Sequence, residues 1–368
     1  MKVAIVHDWL VSPGGAEQVV LELHKLWPKA PIYTAAYEPS KFPEFKDADV
    51  RPTWLNKIGL AKRKHQLFSI PRAWAFKGLD LSEYDVVISS SSAESKYVKT
   101  GPNTLHICYC HTPIRYYWSD FDWYRQHPPF GKLNWLASLI LPFIIGPLRR
   151  MDYKAAQKID LYVANSENVR KRIKKYYNRD AVVIYPPVAT GKFKVKREPQ
   201  DFYLIVGRQV AYKRLDLAVD AFNDLELPLK VAGAGEEIGR QRSRSKSNIE
   251  YLGRVNDEEL AVLYAQAKAF IFPPEEDFGI VPVEAQSAGC PVVAYGKGGA
   301  LETVVDGETG VFFTKQTPEA LADAVKLAAK TKFDEAKIRH HAKQFDAAVF
   351  ARKISHLVDS EWQKFSKK

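Results

Sequence analysis

Short β-branched runs, each followed by an amphipathic helical stretch, recur along the whole chain and lapse only once. The first series reads KVAIVHDW, PIYTAAY, YDVVISSS, TLHICYCH, DLYVANS and AVVIYPPV, and the second reads FYLIVGR, LPLKVAGAG, NIEYLGRV, KAFIFPP, CPVVAYG and GVFF. Apolar spacing marks helices over residues 16–26, 215–222 and 257–267, and from Pro318 onward the pattern is almost wholly helical. Parallel strands cannot be joined by a tight turn and need a crossover, so strands alternating with helices form parallel α/β layers. The lapse is VATGKFKVKREPQD, which is polar, basic and without apolar periodicity. The expected organisation is therefore a first α/β domain over residues 1–187, a linker over 188–200, a second over 201–347, and a terminal helix over 348–368 that packs back on the first domain. Each domain should be a doubly wound sheet, the two should face one central cleft, and ligands should sit at the carboxyl ends of the strands.

Length agrees, because 368 residues exceed the 250–300 or so that one core usually serves. Charge then separates the halves. Residues 1–200 hold 31 Lys and Arg against 18 Asp and Glu, whereas residues 201–368 hold 23 against 25. An anionic partner is thus expected of the first half only: a membrane surface, nucleic acid or an acidic substrate, with solubility as the plain alternative. The stretch KIGLAKRKHQLFSIPRAWAFK, residues 57–77, interleaves cations with aromatic and aliphatic residues, as on surfaces that lie against anionic headgroups. Single-stranded nucleic acid would suit the same mixture. The longest apolar stretch, WLASLILPFIIGPL, has 14 residues, is broken by Pro142 and precedes Arg149 and Arg150. That is short of the roughly 20 residues that span a bilayer. The start, MKVAIVHDW, is already a strand and not a leader, so no export is expected. Three cysteines, Cys108, Cys110 and Cys290, imply no disulfide framework and suit a reducing compartment. In CYCH, strand alternation turns Cys108 and Cys110 to one face and His111 to the other, which favours buried thiols over a metal site.

Three loops carry chemistry. In HDWLVSPGGAEQVV, Gly14 and Gly15 let the backbone approach a ligand at the open amides of the helix that follows, though turn chemistry alone would also use them. The spacing is not the dinucleotide fingerprint. In LIVGRQVAYKRLD, Arg208 and Lys213 stand past a strand end and can clamp a diphosphate, Arg as a fork and Lys as a point charge; a solvated loop is the bland reading. In PPEEDFGIVPVEAQSAGCP, Pro282 suits the first position of a helix that Gly289 ends, which would leave the amides of Gly279 to Val281 open. Glu284 would then stand in the first turn and complement the helix dipole by about 0.3–1 kcal/mol, a role that does not account for Glu276.

Taken in order, the Gly14-Gly15 loop, YCHTPIRYYW, the Arg208/Lys213 pair and the E-x7-E pair Glu276/Glu284 resemble the retaining glycosyltransferases of family 4, which have the GT-B fold of two Rossmann-like domains. The resemblance covers nearly the whole chain. The tracts CHTPIRYYW, EEDFGIVPVEAQSAGCP and GKGGALETV are most similar to the mannosyltransferase branch that uses GDP-mannose. It implies that Arg208 and Lys213 bind the donor diphosphate and stabilise the leaving group. Glu276 would accept from donor sugar hydroxyls, the backbone of Phe278, Gly279, Ile280 and Val281 would hold sugar and phosphate, and Glu284 would take the ribose. Gly253, Arg254 and Val255 would lie against the base, Gly14 and Gly15 would approach the diphosphate, and His111 would stand near the reacting sugar.

The same resemblance implies no metal and no further cofactor, and no D-x-D motif is positioned to hold a divalent ion. With the phosphate itself helping to deprotonate the acceptor, Glu276 and Glu284 need not be an acid/base pair. One departure stands out: relatives often read PPVD where this chain has Pro186, Pro187, Val188 and Ala189, so a contact made by that Asp is missing. The expected reaction moves a hexose, mannose from GDP-mannose, to a glycan or a lipid-linked saccharide. The expected place is the cytoplasmic face of a membrane, bound peripherally through the basic first domain, with no nucleic acid. A sugar-nucleotide epimerase on the same fold and a non-enzymatic basic module that binds membrane or nucleic acid are the competing readings. A phosphorylase lacks a recognisable lysine for pyridoxal phosphate.

Overall fold

The computed structural model describes residues 1–63, 68–126 and 134–367. They form two compact units, Met1–Pro186 with Phe350–Lys368, and Pro187–Val349. The first holds seven strands: β1 (Val3–His7), β2 (Ile32–Thr34), β3 (Val50–Pro52), β4 (Val86–Ser91), β5 (Leu105–Cys110), β6 (Leu161–Ala164) and β7 (Ala181–Val183). The second holds six: β8 (Tyr203–Val206), β9 (Leu229–Ala232), β10 (Ile249–Gly253), β11 (Phe270–Phe272), β12 (Val292–Tyr295) and β13 (Gly310–Phe313). Their orders are β3-β2-β1-β4-β5-β6-β7 and β10-β9-β8-β11-β12-β13. The pairings are parallel throughout.

Strand order locates the sites. In each sheet the chain winds outward from its first strand and then returns to that strand's other side, so the order reverses between β1 and β4 and again between β8 and β11. At such switch points the crossovers diverge and leave a crevice beyond the carboxyl ends of the strands. β1, β4 and β5 are buried along their whole length, which is why they read as mostly apolar or small-residue runs, interrupted only by His7 in β1 and His106 in β5.

Three details differ from the sequence expectation. β3 was not anticipated: it is a half-exposed edge strand that contains Arg51 and Pro52 and pairs only with β2, so no apolar run announces it. Residues 188–200 are bound into the second unit and are no tether. The ring of Phe193 packs 5.6 Å from that of Tyr264, and the Arg197 guanidinium donates to the carbonyls of Tyr264 at 3.2 Å and Ala267 at 2.9 Å. Pro142 does not end its helix, which runs over Asn134–Ala156 with Pro142 and Pro147 inside. Both prolines lie on the exposed side, where water can meet the carbonyls they leave unpaired.

The terminal helix, Ala347–Phe365, belongs to the first unit from Phe350 onward. Phe350, Ile354 and Val358, four residues apart, share one buried face in the cluster that contains Val3, Ile5, Val163 and Ile184. Phe350 meets Tyr109 edge to face at 5.7 Å. Phe350→Ala should cost the first unit about 3–5 kcal/mol in urea unfolding, the range for a deleted core phenylalanine; an unchanged midpoint would show that this contact is not part of the core.

Candidate active site

Past the carboxyl ends of β8 to β12 the connecting loops touch backbone to backbone. A Cβ on Gly233 would overlap the carbonyl of Gly207, and one on Gly299 would overlap the backbone of Phe278. Hydrogen bonds close the same contacts: Gly233 N–H donates to Gly253 O at 2.6 Å, Gln209 N–H to Ala234 O at 3.0 Å, and Gly299 N–H to Glu276 O at 2.9 Å. Gln209, buried, adds its side-chain amide to the Gly207 carbonyl at 2.9 Å. The loops of β8 and β9 are thus locked together, as are those of β11 and β12, and the ion pair of Lys213 with Glu276 joins the two pairs into one shelf.

On that shelf stand the charged residues singled out in the sequence. Lys213 Nζ lies 2.5 Å from Glu276 Oε1. Burial pulls the Lys213 pKa down, and the charge of Glu276 more than reverses it, so the ammonium ends above its ordinary value. Arg208 is near enough to work against this and shares with Lys213 a small pocket floored by Phe272 and Pro273, at the β8–β11 switch point. Those two strands keep a single paired position, Leu204 with Phe270, and the opening follows from their divergence.

The helix α10 departs from expectation. It begins at Ile280, with Gly279 as N-cap at φ +95°, and ends at Ser287. Pro282 is thus its third residue, where an intrahelical donor is not yet required, and the amides of Gly279, Ile280 and Val281 have no carbonyl within the helix to bind. Glu284 falls in the second turn, so the dipole role expected of it is not available. Its Oε2 instead accepts from Tyr264 Oη at 3.2 Å. Burial raises its pKa to about 7, with Asp257 adding to the rise and Tyr264 and Lys192 opposing it. The Phe278 side chain is a core group against Phe345, ring to ring at 5.4 Å, which leaves only its backbone for a ligand. Gly253, at φ +73°, ends β10, with Arg254 exposed and Val255 half-buried beyond it.

The remaining candidates lie in the first unit. Gly14 is an extended N-cap for the helix α1, Gly15–Leu26. His111 follows β5, buried, and its ring stands 5.2 Å from that of Tyr109. Cys108 and Cys110 point away from it into a cluster with Tyr162 and Tyr177. Sequence reasoning passed over the residues that surround His111. Ser90 Oγ lies 2.8 Å from His111 Nε2, His7 reaches Ser90, and Glu17 reaches His7. Asp8 accepts from the amides of Ser92 at 2.6 Å, Ala93 at 2.9 Å and Ser95 at 2.8 Å, and so ties the β4 loop to the end of β1. The available signal was HDW at the end of a central strand, since ionisable residues there need partners.

Comparison with known proteins fits this geometry. The family described as Glycosyltransferase Family 4 matches residues 13–192, and that described as Glycosyl transferases group 1 matches residues 189–345. The chain belongs to the family 4 glycosyltransferases. It is 25% identical to the Dictyostelium discoideum alpha-1,3/1,6-mannosyltransferase ALG2 over 333 residues, 75% of each chain. It is 24% identical to the Rhizomucor pusillus protein of that name over 434 aligned positions, covering 97% of this chain and 91% of that one. Among solved structures, Anabaena Alr3699/HepE in complex with UDP and glucose superposes with a TM-score of 0.72 at 19% identity, over 98% of this chain and 100% of that one. The fold of this glycosyltransferase is GT-B.

Glu284 gives the glycosyltransferase a measurable pH signature. Its folded pKa of about 7 exceeds the ordinary 4.5, so between those values the folded chain binds a proton that the unfolded chain does not. Stability should fall as pH rises from 4.5 to 7, by on the order of 3 kcal/mol in all. Glu284→Gln should remove that part of the slope in urea titrations at pH 5 and pH 8, and equal slopes in both proteins would mean that Glu284 titrates normally.

Proposed function

We propose that the enzyme transfers a hexose with retention, mannose from GDP-mannose, to a glycan or lipid-linked saccharide. The Lys213–Glu276 pair beside the open amides of α10 carries the reading. In it, Arg208 and Lys213 take the diphosphate and neutralise the charge that builds on the leaving group, the kind of electrostatic stabilisation that contributes most to such reactions. Glu276 accepts from the sugar, the Phe278–Val281 backbone holds sugar and phosphate, and Glu284 accepts from the ribose. Gly253, Arg254 and Val255 face the base, Gly14 and Gly15 the diphosphate, and His111 the sugar. No metal is needed, since lysine, arginine and helix amides supply the positive charge. The name shared by the two ALG2 relatives favours mannose; the UDP and glucose of HepE make the base the point to test.

Before donor binds, Lys213 and Glu276 neutralise each other, so a donor must replace both halves of the pair. A nucleoside diphosphate alone engages Lys213 and leaves the Glu276 carboxylate without its partner. Thermal shift with GDP, UDP, ADP and their sugars should show the largest stabilisation with GDP-mannose, about 2.7 kcal/mol at 100 times Kd. Lys213→Ala should weaken GDP and GDP-mannose alike, whereas Glu276→Ala should weaken GDP-mannose but not GDP, which then no longer has to take Lys213 from Glu276. Preference for UDP would move the donor away from GDP-mannose, and no response to any nucleotide would end the transferase reading. Donor consumption without acceptor would favour the epimerase.

The acceptor reading places the enzyme on the cytoplasmic face of a membrane. No helix among the described residues is long and apolar enough to cross one. The first unit nevertheless exposes large apolar side chains in two helices, Trp74 (66%) within Ser69–Lys77, and Trp135 (68%), Leu139 (60%) and Phe143 (78%) at four-residue spacing within Asn134–Ala156. Lys62 and Arg63 precede them and Arg149 and Arg150 follow, the mixture of an interfacial helix on anionic lipid; residues 64–67 of the basic stretch lie outside the described residues. Flotation with vesicles containing phosphatidylserine should carry the protein upward at low salt, less so at high salt, and Phe143→Glu should reduce it severalfold. Equal flotation with neutral vesicles would remove the electrostatic part, and none at all the membrane reading.

A further inference from the structure

Four buried polar side chains, from α1, β1, β4 and the loop after β5, form a single file across the β1–β4 switch point. Glu17, two residues into α1, places Oε1 3.5 Å from Nε2 of His7, the last residue of β1. His7 Nδ1 lies 3.1 Å from both the carbonyl oxygen and the Oγ of Ser90 in β4. Ser90 Oγ lies 2.8 Å from Nε2 of His111, just beyond β5. All four are buried.

Donor and acceptor capacity sets the protons. A carbonyl can only accept, so His7 Nδ1 must carry a hydrogen. Its Nε2 has no aligned hydrogen bond but faces the Glu17 carboxylate. Burial pulls the His7 pKa down, and Glu17, Asp8 and the Ser90 carbonyl more than reverse it, so a proton on Nε2, facing the Glu17 carboxylate, is held more firmly than on a free imidazole. Among the described residues Glu17 and Asp8 are the charged groups that act on His7, and Asp8 is itself occupied by the amides of the β4 loop. With His7 donating, the Ser90 oxygen accepts, and its one proton is left for His111. The other assignment, His111 donating to Ser90, would leave the buried Ser90 hydroxyl with no acceptor, a cost of about 1–3 kcal/mol.

We propose that Glu17, His7 and Ser90 are positioning residues that fix the ring plane and tautomer of His111, so that His111 accepts at Nε2 and meets its other contacts as a neutral Nδ1–H donor. The tautomer of a histidine is set by the bond its other nitrogen makes, and here that bond is wholly inside the sheet edge. The consequence for transfer rests on the glycosyltransferase reading in which His111 faces the donor sugar: a fixed donor edge needs no reorientation when sugar arrives.

The test uses the full-length protein with nitrogen-15 histidine and reads imidazole shifts by NMR. In the wild type, His111 should show an unprotonated Nε2 and a protonated Nδ1, and His7 a protonated Nδ1 and an Nε2 that keeps its proton to higher pH than a free imidazole. Ser90→Ala should turn His111 into a mixture of tautomers and lower kcat about tenfold or more, with donor KM unchanged, and Ser90→Thr should restore both. Should Ser90→Ala not fold, Glu17→Gln gives an independent reading, since His7 should then lose the proton at Nε2 at lower pH and keep that at Nδ1. A wild-type His111 protonated at Nε2, or shifts unaltered by Ser90→Ala, overturns the relay. Altered shifts with unaltered kcat would uphold the relay and count instead against the placement of His111 beside the sugar.

Discussion

Contact of backbone with backbone is the constraint on which the candidate donor site depends. The loops after β8, β9, β11 and β12 approach so closely that Gly233 and Gly299 have no room for a Cβ. With no side chain between them, the loops have few alternative spacings, and the peptide groups that meet there are satisfied by one another. Lys213 and Glu276 extend from loops already fixed in this way, as do the open amides at the start of α10. A site built on such a shelf needs little reorganisation when charge arrives, which is the condition under which fixed dipoles and charges act most strongly.

Much of this was legible before the structure. Every buried strand was visible because a strand covered on both faces must be largely apolar or small, and Glu276, Glu284, Arg208 and Lys213 stood out as charges at strand ends and a helix start, their expected roles coming from the family resemblance. The misses have physical reasons. β3 lies at an edge and is held by pairing to β2 more than by burial, so its sequence has no obligation to be apolar. Residues 188–200 look like a linker because the bonds of Arg197 go to carbonyls, which any composition supplies. α10 begins two residues early because Gly279 can hold φ +95° as a cap, a property the sequence offers equally to a loop. The relay through His7 and Ser90 joins residues 83 and 21 positions apart, and only strand register brings them together.

The two units share a topology yet solve the switch point in opposite ways. β1 and β4 stay paired from Val3 with Val86 to His7 with Ser90, right to the carboxyl edge, so the side chains at that edge are near enough to bond across the strands. β8 and β11 part after one pair, and the same edge opens into a pocket that backbone and two long charged side chains can line. Charge follows the division. The second unit keeps its acidic and basic residues in balance, and its shelf pairs a lysine with a glutamate beside Arg208. The first half carries the cationic excess on its outside while the edge at His111 is ordered by buried hydrogen bonds. A polar row inside a low-dielectric edge is stable only if each member has a partner, and the file from Glu17 to His111 meets that condition only with the protons distributed as argued for it. Strand pairing therefore decides which chemistry each unit can hold: the closed switch point fixes a tautomer, and the divergent one leaves room for a ligand.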